Sequence, residues 1–505
     1  LVLPLLLLLS LASGAGAAAP SPANATKTIE RRSFFVPLAG DDGNTITTVL
    51  PLLARPTESA PQGLTFTLLQ PPPEAGKTPL LPLIFLLNGA NVESRWYGQL
   101  AGRLAAAGFP VALSDSYRRV PIPFRSSNST ATTTLCPGPN FALAPSAGAV
   151  QSFLRAADGG DGGGGIEPNA TTTTPLRDLR LRERGIVLLG HSFGGAVSSL
   201  LLGGRCAPRR KQPAAATPAS NTTTTTTTTT TTNSTASIDE FAFLCGGWQP
   251  SPRDLAVIKG AILLEGYPSS PAPSSAAGFM PAGIDLTARR EAGARVQVDG
   301  GRSTTSSNPF VLFLQGEFNG RVRAAYDASV EAVAGGGGGS ANKTGASSSS
   351  SSSTCVAYAR FRGLNHYLGT DWVEPSKAGG GGGQNATSTN ASRQITPCGA
   401  PASSDPTSFA VTKEVQERGT SYIAELIEAV IKAQVFADTG AERVLGGLVA
   451  GATGAANGTM TVNVPPGDAA EVLYAGDGCR FGGPGGGGMK ATAATTPLPP
   501  PPKKR

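Results

Sequence analysis

Histidine is almost absent: the chain's 505 residues hold only His191 and His366. Chemistry that needs an imidazole must use one of these two. No two cysteines stand in a C-x-x-C spacing, so the usual sequence signature of a structural zinc site is missing. Neither a metal nor a cofactor is expected. No apolar run reaches the roughly 20 residues of a transmembrane helix. Charged residues are only 15% of the chain, with a net charge of +7. The basic residues are dispersed and no stretch interleaves them with aromatics, which argues against a nucleic-acid partner. Solvated charge on an exported protein accounts for the balance.

What is present begins with Leu1–Leu9, an apolar run that gives way to small residues through Ala19. This is the h-region and A-x-A-like cleavage pattern of a signal peptide, expected over residues 1–19. Glycosylation acceptors N-x-[ST] at Asn24, Asn128, Asn169, Asn221, Asn233, Asn342, Asn385, Asn390 and Asn457 agree with export. So do six cysteines: Cys136, Cys206, Cys245, Cys355, Cys398 and Cys479. Cys206 with Cys245, clamping the Thr-rich insert, and Cys355 with Cys398, clamping the segment around His366, are the pairings considered. Secretion, or residence in the lumen of the secretory pathway, is the expected location.

Much of the length is not core material. Gly159–Gly165, Thr222–Thr232, Gly335–Gly339, Ser347–Ser353, Gly379–Gly383 and Gly482–Gly488 are low-complexity runs. They carry too little apolar surface to offset the entropy of ordering them. They read as insertions near 158–176, 208–237, 335–353 and 376–405 within one domain over 33–438. Residues 440–505 read as a poorly ordered Gly-, Pro- and Thr-rich tail.

Between about 81 and 435, short apolar runs alternate with helical patterns, the rhythm of a mostly parallel α/β sheet. Strands are predicted at Leu81–Leu87, Phe109–Leu113, Gly185–Leu189, Lys259–Leu264, Pro309–Leu314 and Cys355–Phe361. Helices are predicted at Trp96–Ala107, Phe141–Ala157, Gly194–Leu202, Arg321–Ala334 and Phe409–Val435. Residues 33–70 look like antiparallel strands ahead of the sheet.

Gly190-His191-Ser192-Phe193-Gly194 fits G-x-S-x-G. In so glycine-rich a chain the bare pattern is weak, since chance supplies on the order of one match. Its setting is informative. It follows the strand GIVLL directly and opens the helix AVSSLLL, which is the strand–turn–helix of a nucleophile elbow. Ser192 is then the candidate nucleophile, and such a serine needs a histidine base. His191 points away on the turn, so His366, after the last predicted strand, is the candidate. The oxyanion hole takes one N–H from the residue after the nucleophile, Phe193, and one from the Asn88-Gly89-Ala90 turn, with Ala90 the expected donor. For the acid, Glu265 follows its strand at once and Glu317 does nearly the same. On position alone either glutamate could be the acid.

These stretches, with GLNHYLGTDW around His366, resemble the chlorophyllase-like and platelet-activating-factor-acetylhydrolase-like branch of the α/β-hydrolases. Cutinase-like enzymes are more distant. The resemblance covers about residues 60–435. It implies an α/β-hydrolase fold, with a mostly parallel central sheet and helices on both faces. The branch often has His-Gly where this chain has Asn88-Gly89. Its aspartate after the sixth strand matches Glu265. The G-x-x-D of the cutinase-like relatives matches Gly316-Glu317-Phe318-Asn319, with asparagine in the acidic place, so the resemblance makes Glu265 the first choice of acid and Glu317 the second.

The expected activity is hydrolysis of a small-molecule carboxylic ester through an acyl-enzyme, on a lipid-like or other hydrophobic substrate. Phe193, Trp96 and Tyr97 are expected to line an aromatic mouth. The alternative is an extracellular glycoprotein whose hydrolase fold is catalytically impaired and serves binding or structure. A peptidase on the same fold is a third reading.

Overall fold

Runs such as Leu83–Leu87, Ile186–His191 and Phe310–Gln315 show no polar face: every residue in them is buried. Strands of that kind belong inside a sheet covered on both sides. The computed structural model describes residues 29–37, 63–71, 80–90, 92–114, 118–121, 141–144, 147–158, 176, 178–203, 251–271, 279–284, 286, 309–317, 320–335, 354–371, 411–450, 460–462, 470–475 and 479–480. The expected signal peptide, all nine glycosylation acceptors, most of each insertion, and Cys136, Cys206, Cys245 and Cys398 lie outside them.

The main sheet contains β1 (Glu30–Pro37), β2 (Gly63–Gln70), β3 (Leu83–Leu87), β4 (Val111–Ser114), β5 (Ile186–His191), β6 (Ile258–Leu264), β7 (Phe310–Gln315), β8 (Cys355–Phe361), β9 (Met460–Val462) and β10 (Ala470–Ala475). Their spatial order is β1-β2-β4-β3-β5-β6-β7-β8-β10-β9. From β4 through β8 all neighbours are parallel. The strands β1 and β2 are antiparallel at one edge, and β10 and β9 at the other.

Helices are α1 (Gly98–Ala106), α2 (Ala147–Ala157), α3 (Leu181–Arg184), α4 (Phe193–Leu202), α5 (Pro252–Val257), α6 (Gly320–Gly335), α7 (Lys413–Phe436) and α8 (Thr439–Ala450). Alternation along each strand feeds two cores. Leu83, Phe85 and Leu87 pack with residues of α2, α4 and α6 on one face. Ile84 and Leu86 pack with α1, α7 and α8 on the other. This sheet order, with helices on both faces, is the α/β-hydrolase fold.

Three expectations are corrected. The helix predicted over Phe141–Ala157 begins only at Ala147, and Phe141–Ala144 is a strand paired with Arg118–Pro121. Pro145 explains the break, because the residue before a proline avoids the helical region. The tail predicted to be poorly ordered contributes α8, β9 and β10. Its Val472-Leu473-Tyr474 are strand formers that cover the open side of β8. Finally, Cys355 pairs with Cys479, not with Cys398. The strand β10, beside β8, brings the chain back to Cys355, and the two Cα atoms are 4.5 Å apart.

Candidate active site

Parallel strands deliver their following loops to one edge of the sheet, where α/β folds gather their functional groups. Asn88 follows β3, Ser192 follows β5, Glu265 follows β6, Glu317 follows β7 and His366 follows β8.

Ser192 joins β5 to α4 with φ 51° and ψ −114°. A side chain rarely adopts such a conformation, which costs on the order of 1–3 kcal/mol and is held only by its surroundings. Here the Ser192 N–H donates to Leu264 O at 2.8 Å, and Ser192 O accepts from Gly195 N at 2.9 Å and Ala196 N at 3.2 Å. The glycines of the motif are required by packing. A Cβ on Gly194 would strike the Leu87 carbonyl, and one on Gly190 would strike the backbone of Gly194. A Cβ on Gly195 would lie 2.5 Å from Gly266 Cα. The elbow is thus wedged between the ends of β3 and β6.

Glu265 leaves β6 at positive φ (49°) and is only 1% exposed. Its N–H donates to Leu314 O at 2.8 Å, and its Oε1 accepts from the Gly316 N–H. Its Oε2 lies 3.6 Å from His366 Nδ1. A carboxylate there orients the ring. The His366 side chain is 26% exposed, so it is open to a partner from solvent.

Glu317 is engaged elsewhere. Its Oε2 accepts from Gly363 N at 2.9 Å, and its N–H donates to Leu364 O at 2.8 Å. It braces the turn that carries His366. Further along that loop, Asn365 Oδ1 accepts from Tyr367 N at 2.9 Å. Gln416 Nε2 on α7 donates to Tyr367 O and Thr370 O, both at 2.8 Å. Asp371 Oδ2 accepts from Gln99 N on α1 at 3.1 Å. Burial pushes the Asp371 carboxyl up, against the backbone N–H groups of Gln99 and Gly98, which lower it.

Phe193 opens α4, and the N–H groups of a first helical turn point out of the helix N-terminus. Ala90 sits in the turn after β3, half-buried, with Val92 N donating to Gly89 O at 3.2 Å across that turn. The sequence reading misplaced Tyr97. It lies not at a mouth but fully buried, and its Oη is 2.8 Å from His191 Nδ1. Nothing in the sequence marks this contact, since the partners are 94 residues apart. Trp96 is half-buried with the Arg95 guanidinium 5.2 Å from its ring. Among the described residues, no cluster of three or more His, Cys, Asp or Glu is arranged to hold a metal ion. No helix among them is long and apolar enough to cross a membrane.

No protein-family model matches the chain, and no curated protein matches it. Solved structures do resemble it. EstE1, a thermophilic carboxylesterase cloned from a metagenomic library, shares 12% identity and a TM-score of 0.28 over 67% of this chain and 81% of its own. A thermostable esterase from Pseudomonas putida ECU1011 shares 14% identity and a TM-score of 0.24 over 60% of this chain and 70% of its own. A fungal esterase from Rhizomucor miehei shares 9% identity and a TM-score of 0.25 over 60% of this chain and 72% of its own. On its own strand order and elbow, the chain has the α/β-hydrolase fold.

Proposed function

We propose that the chain hydrolyses carboxylic esters through an acyl-enzyme on Ser192. One observation carries this reading: a serine in a strained strand-to-helix turn, hydrogen-bonded to the strand end that bears Glu265, which in turn faces His366. His366 takes the Ser192 proton as Oγ attacks the ester carbonyl. Glu265 holds the imidazole in place and stabilises its charged form. The Phe193 and Ala90 N–H groups receive the oxyanion. The alcohol leaves with the proton from His366. Water, activated by the same base, then releases the acid and restores Ser192.

The substrate class is a hydrophobic, lipid-like ester, and the branch is the chlorophyllase-like and acetylhydrolase-like one. The aromatic Phe193 next to Ser192 and the motif Gly-His-Ser-Phe-Gly-Gly support both. The protein acts outside the cell or within the secretory lumen, as its apolar leader and N-x-[ST] acceptors suggest.

A fluorophosphonate probe tests the reading. Wild type is expected to label on Ser192 and to hydrolyse aryl esters, while Ser192→Ala does neither. Absent labelling of wild type, or equal labelling of the alanine variant, would sink the enzyme reading in favour of the impaired glycoprotein.

A further inference from the structure

His191, the histidine that the mechanism does not use, is 1% exposed and makes two hydrogen bonds. Its Nε2 lies 2.7 Å from the carbonyl oxygen of His366, and its Nδ1 lies 2.8 Å from Tyr97 Oη. Tyr97 Oη also accepts from Gly89 N at 2.9 Å. These contacts fix the proton positions. A carbonyl oxygen only accepts, so Nε2 carries the hydrogen. In a neutral ring Nδ1 is then bare and accepts from the Tyr97 hydroxyl. That frees the phenol oxygen to accept from Gly89. Burial, together with the neighbouring His366, holds His191 down at about 3, which keeps the ring neutral. The groups facing it are Tyr97, His366 and Tyr367, with ring centroids 5.8, 5.3 and 6.4 Å away. The Gly89 turn presses on it as well: a Cβ there would lie 2.5 Å from Nδ1.

We propose that Tyr97 and His191 are positioning residues, a one-way hydrogen-bond relay that ties the oxyanion turn after β3 to the loop that carries the base. The relay runs from Gly89 N–H through the Tyr97 hydroxyl and the His191 ring to the His366 carbonyl. It has two consequences. The Gly89 N–H is taken by Tyr97, which leaves Ala90 as the donor of that turn facing substrate. And the backbone of His366 is held against the residue that precedes Ser192, so base, nucleophile and oxyanion turn share one rigid connection. The proposal rests on the esterase reading for its catalytic consequence, but not for its geometry.

The test uses the full chain. Active sites are counted by fluorophosphonate titration, so that a partly unfolded variant does not masquerade as a slow one. Tyr97→Phe is expected to lower kcat about 10- to 100-fold, with KM within about threefold, as misalignment of transition-state groups does. His191→Gln keeps an amide N–H for the His366 carbonyl and is expected to retain more activity than His191→Ala. The Tyr97→Phe/His191→Gln double variant is expected to lose less than the product of the single losses, because both cut one relay. A Tyr97→Phe enzyme within about twofold of wild type per titrated site, or strictly multiplicative losses, would overturn the positioning role.

An arm independent of activity follows nitrogen-15 shifts, simplified by there being only two histidines. His191 is expected as the neutral Nε2–H form from pH 8 down to 5, with its Nδ1 shift moving in Tyr97→Phe. An Nδ1–H form, or protonation in that range, would overturn the relay. Should wild type fail to label or turn over esters, the esterase reading falls and the tautomer alone decides the relay.

Discussion

At the residue scale, two histidines have been driven to opposite fates. His366 stands partly open beside a carboxylate, whereas His191 is sealed between a phenol and a carbonyl. The buried one leaves a mark on stability. Its protonation is pushed from the usual 6.5 to about 3 in the folded state, chiefly by burial. Between those values the unfolded chain binds a proton that the folded chain does not. Stability therefore falls as pH falls, by about 1.4 kcal/mol per pH unit from this group. The contribution is fully present above pH 6.5 and is lost progressively below it. Urea titrations of wild type and His191→Gln at pH 6.5 and 5.5 check this. The gap between the two proteins is expected to narrow, or shift toward the glutamine variant, by roughly 1 kcal/mol over that step. An unchanged gap would mean that His191 titrates normally.

The residues of the candidate site differ in how legible they were. Ser192 and His366 stood out because a motif lay between a strand and a helix, and because no third histidine existed. Position after a strand leaves Glu265 and Glu317 both open, the family resemblance favours Glu265, and the geometry pairs Glu265 with His366. Tyr97 could not be found in this way. Its hydroxyl serves residues on two other elements, and a tyrosine at a helix start reads equally well as core or as surface.

At the element scale, the sequence reading was sound wherever burial alone decides structure. The central strands are apolar throughout, and their positions agree with prediction to within a few residues. It failed where pairing across long separations decides. β10 is short and sits in a Gly- and Thr-rich stretch, and only the uncovered side of β8 gives it a place. The disulfide follows from that pairing. Cys355 and Cys479 are 124 residues apart. In the chain-entropy view, closing a loop of that size stabilises by about 4–5 kcal/mol at most, with measured losses of 2–5 kcal/mol on removal. Cys479→Ser is expected to lower unfolding free energy by roughly that 2–5 kcal/mol in urea melts. A loss under about 0.5 kcal/mol would mean that β10 is held by its strand pairing alone.

For the whole molecule, the fold class was readable from the alternation of apolar runs and helices, but the strand order was not. Order depends on which strands meet across the sheet, and composition does not encode it. The inserts are neutral to this logic. Thr222–Thr232 falls between α4, which ends at Leu202, and α5, which starts at Pro252. It offers no apolar side chain for either core. Shortening a connection of that kind changes loop entropy by only about 0.6 kcal/mol per halving. A variant lacking residues 222–232 is expected to keep its denaturation midpoint, and its rate of Ser192 labelling, within error of the parent. A marked drop in either would show that the threonine run does more than connect.

The pairing of Cys355 with Cys479 also sets an order of events during synthesis. All the candidate catalytic groups have been translated by residue 366. The strand that carries the base still presents a bare hydrogen-bonding side until residues 470–475 have emerged. In that interval β8 is open to pairing with a neighbouring nascent chain, the usual hazard of an uncovered strand. The C-terminal strand and its cysteine therefore act last, closing the sheet and then bolting it. A ribosome stalled between those two points would hold a chain with every reactive group and no finished edge.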